Sequence, residues 1–91
     1  MSNPLLPGDV VRVAKGRNQR TGKVIFTTAK NVCVDGIWVL LSSIDPKSIK
    51  TAQRLRKLAE INASFPATEH VTLAWLSDGL SEAEVDAWLG L

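Results

Sequence analysis

The chain has 91 residues, of which 45% are hydrophobic and 22% charged, and its formal net charge is +2. A chain of this length forms one small domain, with or without an appendage, around a modest core. The composition excludes disordered and collagen-like proteins. The longest apolar run, Ile37–Leu41, is far too short for a membrane span. We therefore expect a folded globular protein without a membrane partner.

The cysteine content and the first residues bear on location. Cys33 is the only cysteine, which excludes an internal disulfide and a multi-cysteine metal site. Residues Met1–Leu6 lack the cationic start and apolar stretch of a secretory signal. Both features predict a cytoplasmic protein.

Charge is divided unevenly along the chain. All eleven Lys and Arg residues lie between Arg12 and Lys57, and only three acids occur before Leu58, so residues 1–57 carry +8. From Leu58 onward there are six acids and no Lys or Arg, which gives −6. A basic segment of this density predicts contact with a polyanion, because neutralised phosphates release counterions. The alternatives are that the two halves neutralise one another, or that the acidic half competes for the basic surface.

Four β-strands are predicted in the first half of the chain. They are separated by short polar connections and by Asp35-Gly36, a signal for a two-residue hairpin turn. The predicted strands are Asp9–Ala14, Lys23–Thr28, Val32–Val34 and Ile37–Leu41. Short strands at about ten-residue spacing predict a small antiparallel barrel over residues 7–45. Because the fourth strand is apolar throughout, we expect it to be buried on both faces, with Trp38 in the core. The alternative for Trp38 is exposure for contact with a partner.

A helix is predicted to follow the barrel. Asp45 before Pro46 is typical of a helix start, and a period of three to four residues continues to about Asn62. The apolar positions share one half of this helix: Ile49, Ala52, Leu55, Leu58 and Ala59. Four cations share a neighbouring arc, which we call the basic arc: Lys47, Lys50, Arg54 and Lys57. The basic arc predicts either an extension of the polyanion surface or a solvated helix face.

Two shorter, acidic helices are predicted in the remainder of residues 46–91. The first begins at Thr68 as N-cap and ends near Leu76, with Gly79 as a C-terminal cap. The second covers Glu82–Leu89, after the capping-box sequence that begins at Ser81. The predicted fold class is therefore α+β, with a small antiparallel β-barrel followed by three C-terminal α-helices.

Part of the barrel region resembles a known family. Gly8–Val13, then Gly16, then Gly22–Val24 are similar to a KOW motif, which occurs in large-subunit ribosomal proteins and in NusG-type elongation factors. The resemblance covers about Pro7–Asp45. It implies a Src-homology-3-like (SH3-like) small barrel, commonly used to bind RNA or a protein partner.

Candidate binding residues cluster in and around the first hairpin loop. We expect Arg17, Arg20 and Lys23 to hold phosphates, and Asn18 and Gln19 to touch base edges. The supporting cations are Arg12, Lys15, Lys30, Lys47, Lys50, Arg54 and Lys57. The alternative is a hairpin loop whose charges only keep it soluble. Together these residues predict a non-enzymatic accessory protein that binds nucleic acid, RNA slightly before DNA.

Glycine at position 22 is part of this hypothesis. Without a side chain, Gly22 permits a conformation that a Cβ would penalise and lets a polyanion backbone come close.

The sequence offers no catalytic constellation. His70 has no second His or Cys at metal-ligand spacing, and Cys33 between two valines is typical of a core residue. No glycine-rich phosphate loop precedes a helix. We therefore expect no enzyme activity, no cofactor, no metal and no small-molecule substrate.

The tryptophans of the acidic helices support a second hypothesis. Trp75 and Trp88 either attach the helices to the barrel or form a protein-binding surface, and we expect at least one of them to be buried. The alternative function is a protein-interaction adaptor that docks on a larger complex through its acidic, Trp-containing helices.

Overall fold

Four antiparallel strands form the sheet of this protein, whose computed structural model describes residues 3–17 and 19–91. The strands pair in chain order: β1 Val10–Val13, β2 Arg20–Thr27, β3 Asn31–Val34 and β4 Ile37–Leu40. The described part also contains three α-helices, so the predicted α+β class is confirmed.

One face of the sheet carries the core of the first half, and we call it the inner face. Val11 and Val13 of β1 are buried, whereas Val10 and Arg12 between them are exposed, as the two-residue period of a strand requires. The core consists of Leu5, Val11, Val13, Val24, Val32, Val34, Ile44 and Ala52. The opposite side of the sheet is the outer face.

The connection between β3 and β4 is the predicted hairpin turn. Asp35 and Gly36 have positive φ values of 52° and 89°, and Val34 pairs with Ile37 across them. Because this turn requires left-handed backbone at both positions, Asp followed by Gly is the favoured sequence.

The sheet is open, so the expected closure into a barrel is wrong. After β4 the chain makes a 3₁₀ turn at Leu41–Ser43 and pairs with β1 at the isolated bridge between Val13 and Ile44. The next residue, Asp45, already starts the first helix by accepting a hydrogen bond from the Lys47 N–H at 3.0 Å. Between the 3₁₀ turn and the first helix, Ile44 is therefore the extended residue at the position where a closing strand would lie.

The first and third helices have their predicted bounds. Helix α1 covers Pro46–Asn62, and α3 covers Glu82–Leu89. The capping box of α3 is confirmed: the Glu84 N–H donates to Ser81 Oγ at 3.3 Å, and the Ser81 N–H donates to Glu84 Oε1 at 3.1 Å.

The second helix begins later than predicted. Helix α2 covers Leu73–Gly79 with Thr72 as its N-cap, and Thr68 lies in a preceding 3₁₀ turn, so the prediction of Thr68 as N-cap is wrong. The Asn62 side chain holds Val71 between them, donating to its carbonyl at 2.8 Å and accepting from its N–H at 2.9 Å. These bonds use backbone groups that a helix starting at Thr68 would need. Gly79 is the last helical residue, and Leu80 is the C-cap.

The chain forms two compact units, Met1–Gln53 and Arg54–Leu91. Their boundary falls inside α1, because Ala52 packs in the core of the sheet whereas Leu58 packs with α2 and α3. The second core consists of Leu58, Leu76, Val85 and Leu89. Eight Lys or Arg residues and three acids give the first unit a charge of +5, and three against six give the second −3. No helix of the described residues is long and apolar enough to cross a lipid bilayer.

Candidate nucleic-acid interface

Two predicted cations lie next to each other on the outer face of the sheet. Arg12 pairs with Thr21 and Val10 pairs with Lys23, so Arg12 and Lys23 are diagonal neighbours on β1 and β2. Diagonal neighbours in an antiparallel pair lie about 7–8 Å apart. Both residues are exposed, so this pair presents two adjacent positive charges to solvent.

The loop after β1 adds further charge. Lys15 and Arg17 are exposed in the connection between β1 and β2, and Gln19 is exposed beside them. Asn18, predicted to touch base edges, lies outside the described residues. Within the described ranges, no ion pair engages Lys15, Arg17 or the outer-face cations.

Arg20 does not join this set. It is the first residue of β2 and pairs with Val13, which places it on the inner face. Its side chain is half-buried, and Nη2 donates a hydrogen bond to the Val34 carbonyl. The strand period therefore separates Arg20 from Lys23, three residues away, although the sequence placed both beside one loop.

Gly22 accommodates the protein's own side chain, so the expected close approach of a polyanion there is wrong. A Cβ at this position would collide with the Asp35 carboxylate and would lie 2.7 Å from Cγ1 of Val34. The Asp35 Oδ1 atom accepts the Lys23 N–H at 3.1 Å. Glycine at position 22 thus leaves room for the Asp35 carboxylate, whose hydrogen bond to Lys23 joins the β3–β4 turn to β2.

Lys30 is exposed in the short connection between β2 and β3. Its carbonyl accepts the Leu41 N–H at 2.8 Å, which fixes this connection beside the end of β4. Lys30 also lines a shallow depression with Leu40. A cation therefore stands beside the apolar end of β4.

The basic arc divides between the two units. Lys47 and Lys50 are exposed in the first unit. In the second unit Arg54 and Lys57 contact acids: Arg54 binds Asp86 with Nε–Oδ1 at 2.7 Å, and Lys57 Nζ lies 3.6 Å from Glu60. The hydrogen bond to Asp86 raises the pKa of Arg54. Arg54 therefore neutralises an acid of its own unit.

Two exposed aromatic side chains on the outer face are not among the predicted binding residues. Trp38 is 53% exposed, so the prediction that it lies in the core and that β4 is buried on both faces is wrong. Phe26 is 62% exposed. The core is already filled largely by valines from the inner face, and Val39 of β4 and Leu41 of the following 3₁₀ turn pack at its margin. Because successive side chains of a strand point to opposite faces, the inward position of Val39 places Trp38 on the outer face.

Comparisons with protein-family models, with curated protein sequences and with solved structures give no match to this chain. The geometry of the described residues is therefore the basis for the functional argument.

The tryptophans of α2 and α3 are both exposed, 69% for Trp75 and 47% for Trp88, so the expectation that at least one is buried is wrong. Their neighbours Leu76 and Leu89 fill the core of the second unit. Both tryptophans line one groove of about 470 Å³ together with Asp78.

The remaining candidates occupy structural positions. Cys33 is buried, as predicted. His70 is exposed, and its Nε2 lies 2.8 Å from the Phe65 carbonyl oxygen. In the described part of the chain, no group of three or more His, Cys, Asp or Glu residues is placed to hold a metal ion.

Proposed function

We propose that the protein is a non-enzymatic accessory protein that binds nucleic acid, RNA before DNA, through the outer face of its sheet. The observation that carries the proposal is the diagonal pair Arg12 and Lys23, exposed on neighbouring strands of a unit with a net charge of +5. Arginine holds a phosphate through two N–H groups, and lysine supplies a point charge. The loop cations Lys15 and Arg17 extend the same positive region.

The similarity of Gly8–Val24 to a KOW motif is part of this proposal, since it implies an RNA- or protein-binding SH3-like module. The exposure of Arg12 and Lys23 supports the proposal, because it makes the cations of the outer face accessible. Lys30 and Lys47 are accessory cations of the first unit. We leave out Arg20, Arg54 and Lys57, because each has a structural partner within the protein.

A salt series tests the proposal. Binding of single-stranded RNA and duplex DNA is measured from low to physiological ionic strength, and we expect affinity to fall steeply with salt. Lys23→Ala should weaken binding and reduce the slope of log K against log[salt] by about 0.7 on a single strand. Lys57→Ala removes the same charge from the other unit and is the matched control. Absence of binding at low salt, or equal effects of both variants, would contradict the proposal.

The second candidate function is a protein-interaction adaptor, favoured by the groove that Trp75 and Trp88 share. Tryptophan is enriched where interfaces derive most of their energy. The unit that holds the groove carries −3, so we expect a basic, partly apolar segment as partner.

Selection from a displayed peptide library tests the adaptor. Peptides rich in Lys and Arg should be enriched on the protein and lost with Trp75→Ala/Trp88→Ala, but retained by Lys23→Ala. No enrichment, or enrichment that survives the double substitution, would exclude the adaptor.

A further inference from the structure

Phe26, Cys33 and Trp38 form a row across three adjacent strands on the outer face. Cys33 is the pairing partner of Phe26 on β2 and of Trp38 on β4. Residues that pair across antiparallel strands lie on one face, so both rings flank the cysteine side chain. Cys33 is only 5% exposed, whereas the two aromatic residues are more than half exposed. The row thus presents two rings to solvent above a buried thiol.

An irregularity in β2 is what brings Phe26 to this face. The pairing of Val24 with Val34 is followed by that of Phe26 with Cys33, so Ile25 is an extra residue. Simple alternation from buried Val24 would direct Phe26 inward. The bulge reverses this and places the ring outside, as bulges are known to re-aim side chains. The exposure of Phe26 is therefore determined by the backbone pairing of β2 and not by a lack of space in the core.

The aromatic row lies beside cations of the same face. Lys23 precedes the bulge on β2, about 10 Å from Phe26 along the strand, and Arg12 is diagonal to Lys23. At the opposite end, Lys30 stands beside the end of β4. Rings flanked by cations match the two parts of a nucleotide, because bases stack on aromatic faces and phosphates bind cations.

Base pairing decides which form of nucleic acid fits this surface. In a duplex the base faces are covered by their neighbours, whereas the faces of an unpaired strand are free to stack on side chains. The Cα atoms of Phe26 and Trp38 are about 10 Å apart, twice the usual interstrand spacing. Two rings at this distance receive separate bases of a splayed strand.

The geometry points to a single-stranded segment as the ligand: one unpaired base stacks on Phe26, another on Trp38, and Lys23 and Lys30 bind the phosphates beside them. This inference rests on the proposed nucleic-acid function and specifies its ligand. An apolar peptide is the competing occupant of the same face, and the cations on both sides of the row favour the polyanion.

Affinity measurements with leucine variants test the stacking. The probe is a labelled oligo-U RNA of about 12 nucleotides, alone and hybridised to its complement. Phe26→Leu and Trp38→Leu keep an apolar side chain without a ring. Each should weaken single-strand binding at least about fivefold, leave duplex binding unchanged and leave the salt slope unchanged, because stacking releases no counterions. Leu40→Ala, exposed on the same face, is the control without a ring and should change affinity less than twofold.

The outcomes separate this inference from the broader function. Salt-dependent RNA binding that is equal in wild type and both leucine variants would overturn the stacking inference and leave the nucleic-acid proposal standing. No binding of wild type to either probe would overturn both. A displayed peptide that binds wild type and is lost with Trp38→Leu, without RNA binding, would assign the face to a protein partner.

Tryptophan fluorescence supplies a readout that does not depend on the folding of the leucine variants. Trp75→Phe/Trp88→Phe leaves Trp38 as the only tryptophan of the chain. Saturation with oligo-U RNA should quench its emission, because a stacked base lies directly against the indole. Saturable binding without quenching would contradict stacking on Trp38.

Discussion

Arg54 and Asp86 form a two-pronged ion pair between α1 and α3, with Nε–Oδ1 at 2.7 Å and Nη2–Oδ2 at 3.2 Å. The two side chains are only 11% and 17% exposed. A bidentate, largely buried pair loses much more when one partner is removed than a pair on the surface does. Glu82 lies nearby, with Oε1 3.9 Å from Arg54 Nη1, but its side chain is 89% exposed.

Removing the charge of Asp86 should destabilise the second unit. Asp86→Asn leaves the Arg54 guanidinium partly buried without a carboxylate, and we expect the free energy of unfolding to fall by about 1–3 kcal/mol. Glu82→Gln should change it by less than about 0.5 kcal/mol, because an exposed pair contributes little. Denaturant unfolding of both variants checks this, and equal effects would mean that the bidentate contact is not formed in solution.

The capping box of α3 should make stability depend on pH in the acidic range. The hydrogen bonds from Ser81, the backbone N–H first, lower the pKa of Glu84 below its ordinary value. The folded state therefore releases this proton more readily than the unfolded state, so the contribution is present near neutral pH and is lost on acidification. The difference in unfolding free energy between wild type and Glu84→Gln should shrink as the pH falls from about 5 towards 3. A difference that stays constant over this range would contradict the assignment.

The sequence predicted the positions of strands and helices better than it predicted which side chains are exposed on them. Strand β4, helix α1 and helix α3 have local signals: the Asp35-Gly36 turn before an apolar run, Asp45 as cap before proline, and the Ser81 capping box. Each signal lies within a few residues of the element that it specifies.

Long-range contacts decide what the sequence did not predict. The start of α2 depends on Asn62, nine residues before Val71, through two side-chain hydrogen bonds. The outward position of Phe26 depends on a bulge that only strand pairing reveals. The charge of Arg54 in the basic arc is neutralised because Asp86, thirty-two residues later, binds it. None of these partners can be read from spacing alone.

Substitution of Gly22 tests a position where only glycine fits. A Cβ there meets the Asp35 carboxylate and Cγ1 of fully buried Val34, so Gly22→Ala should lower the free energy of unfolding by about 1–3 kcal/mol. Gly79→Ala is the matched control, because a Cβ at this helical position has nothing within 4 Å, and it should be neutral or stabilising by up to about 1 kcal/mol. Thermal or denaturant unfolding of the pair distinguishes a steric effect from the general cost of replacing glycine.

Arg20 and Lys23 provide the sharpest contrast between a structural and a binding cation. Arg20 donates to the Val34 carbonyl from the inner face, so Arg20→Gln should lower the free energy of unfolding by about 1–2 kcal/mol through the lost bond and side-chain packing. Lys23 is exposed on the outer face, so Lys23→Gln should change stability by less than about 0.5 kcal/mol.

Binding should respond in the opposite order. Both variants lose one positive charge, so a nonspecific effect of net charge would weaken RNA binding equally in each. A local phosphate contact at Lys23 requires instead that Lys23→Gln weakens binding and reduces its salt slope, while Arg20→Gln retains the wild-type slope under conditions where it is fully folded. Titrations at several salt concentrations, on samples whose folding is checked by circular dichroism, measure both. The reverse order would place the phosphate contact at the loop side of the inner face, because Arg20 would then be the cation that reaches the ligand.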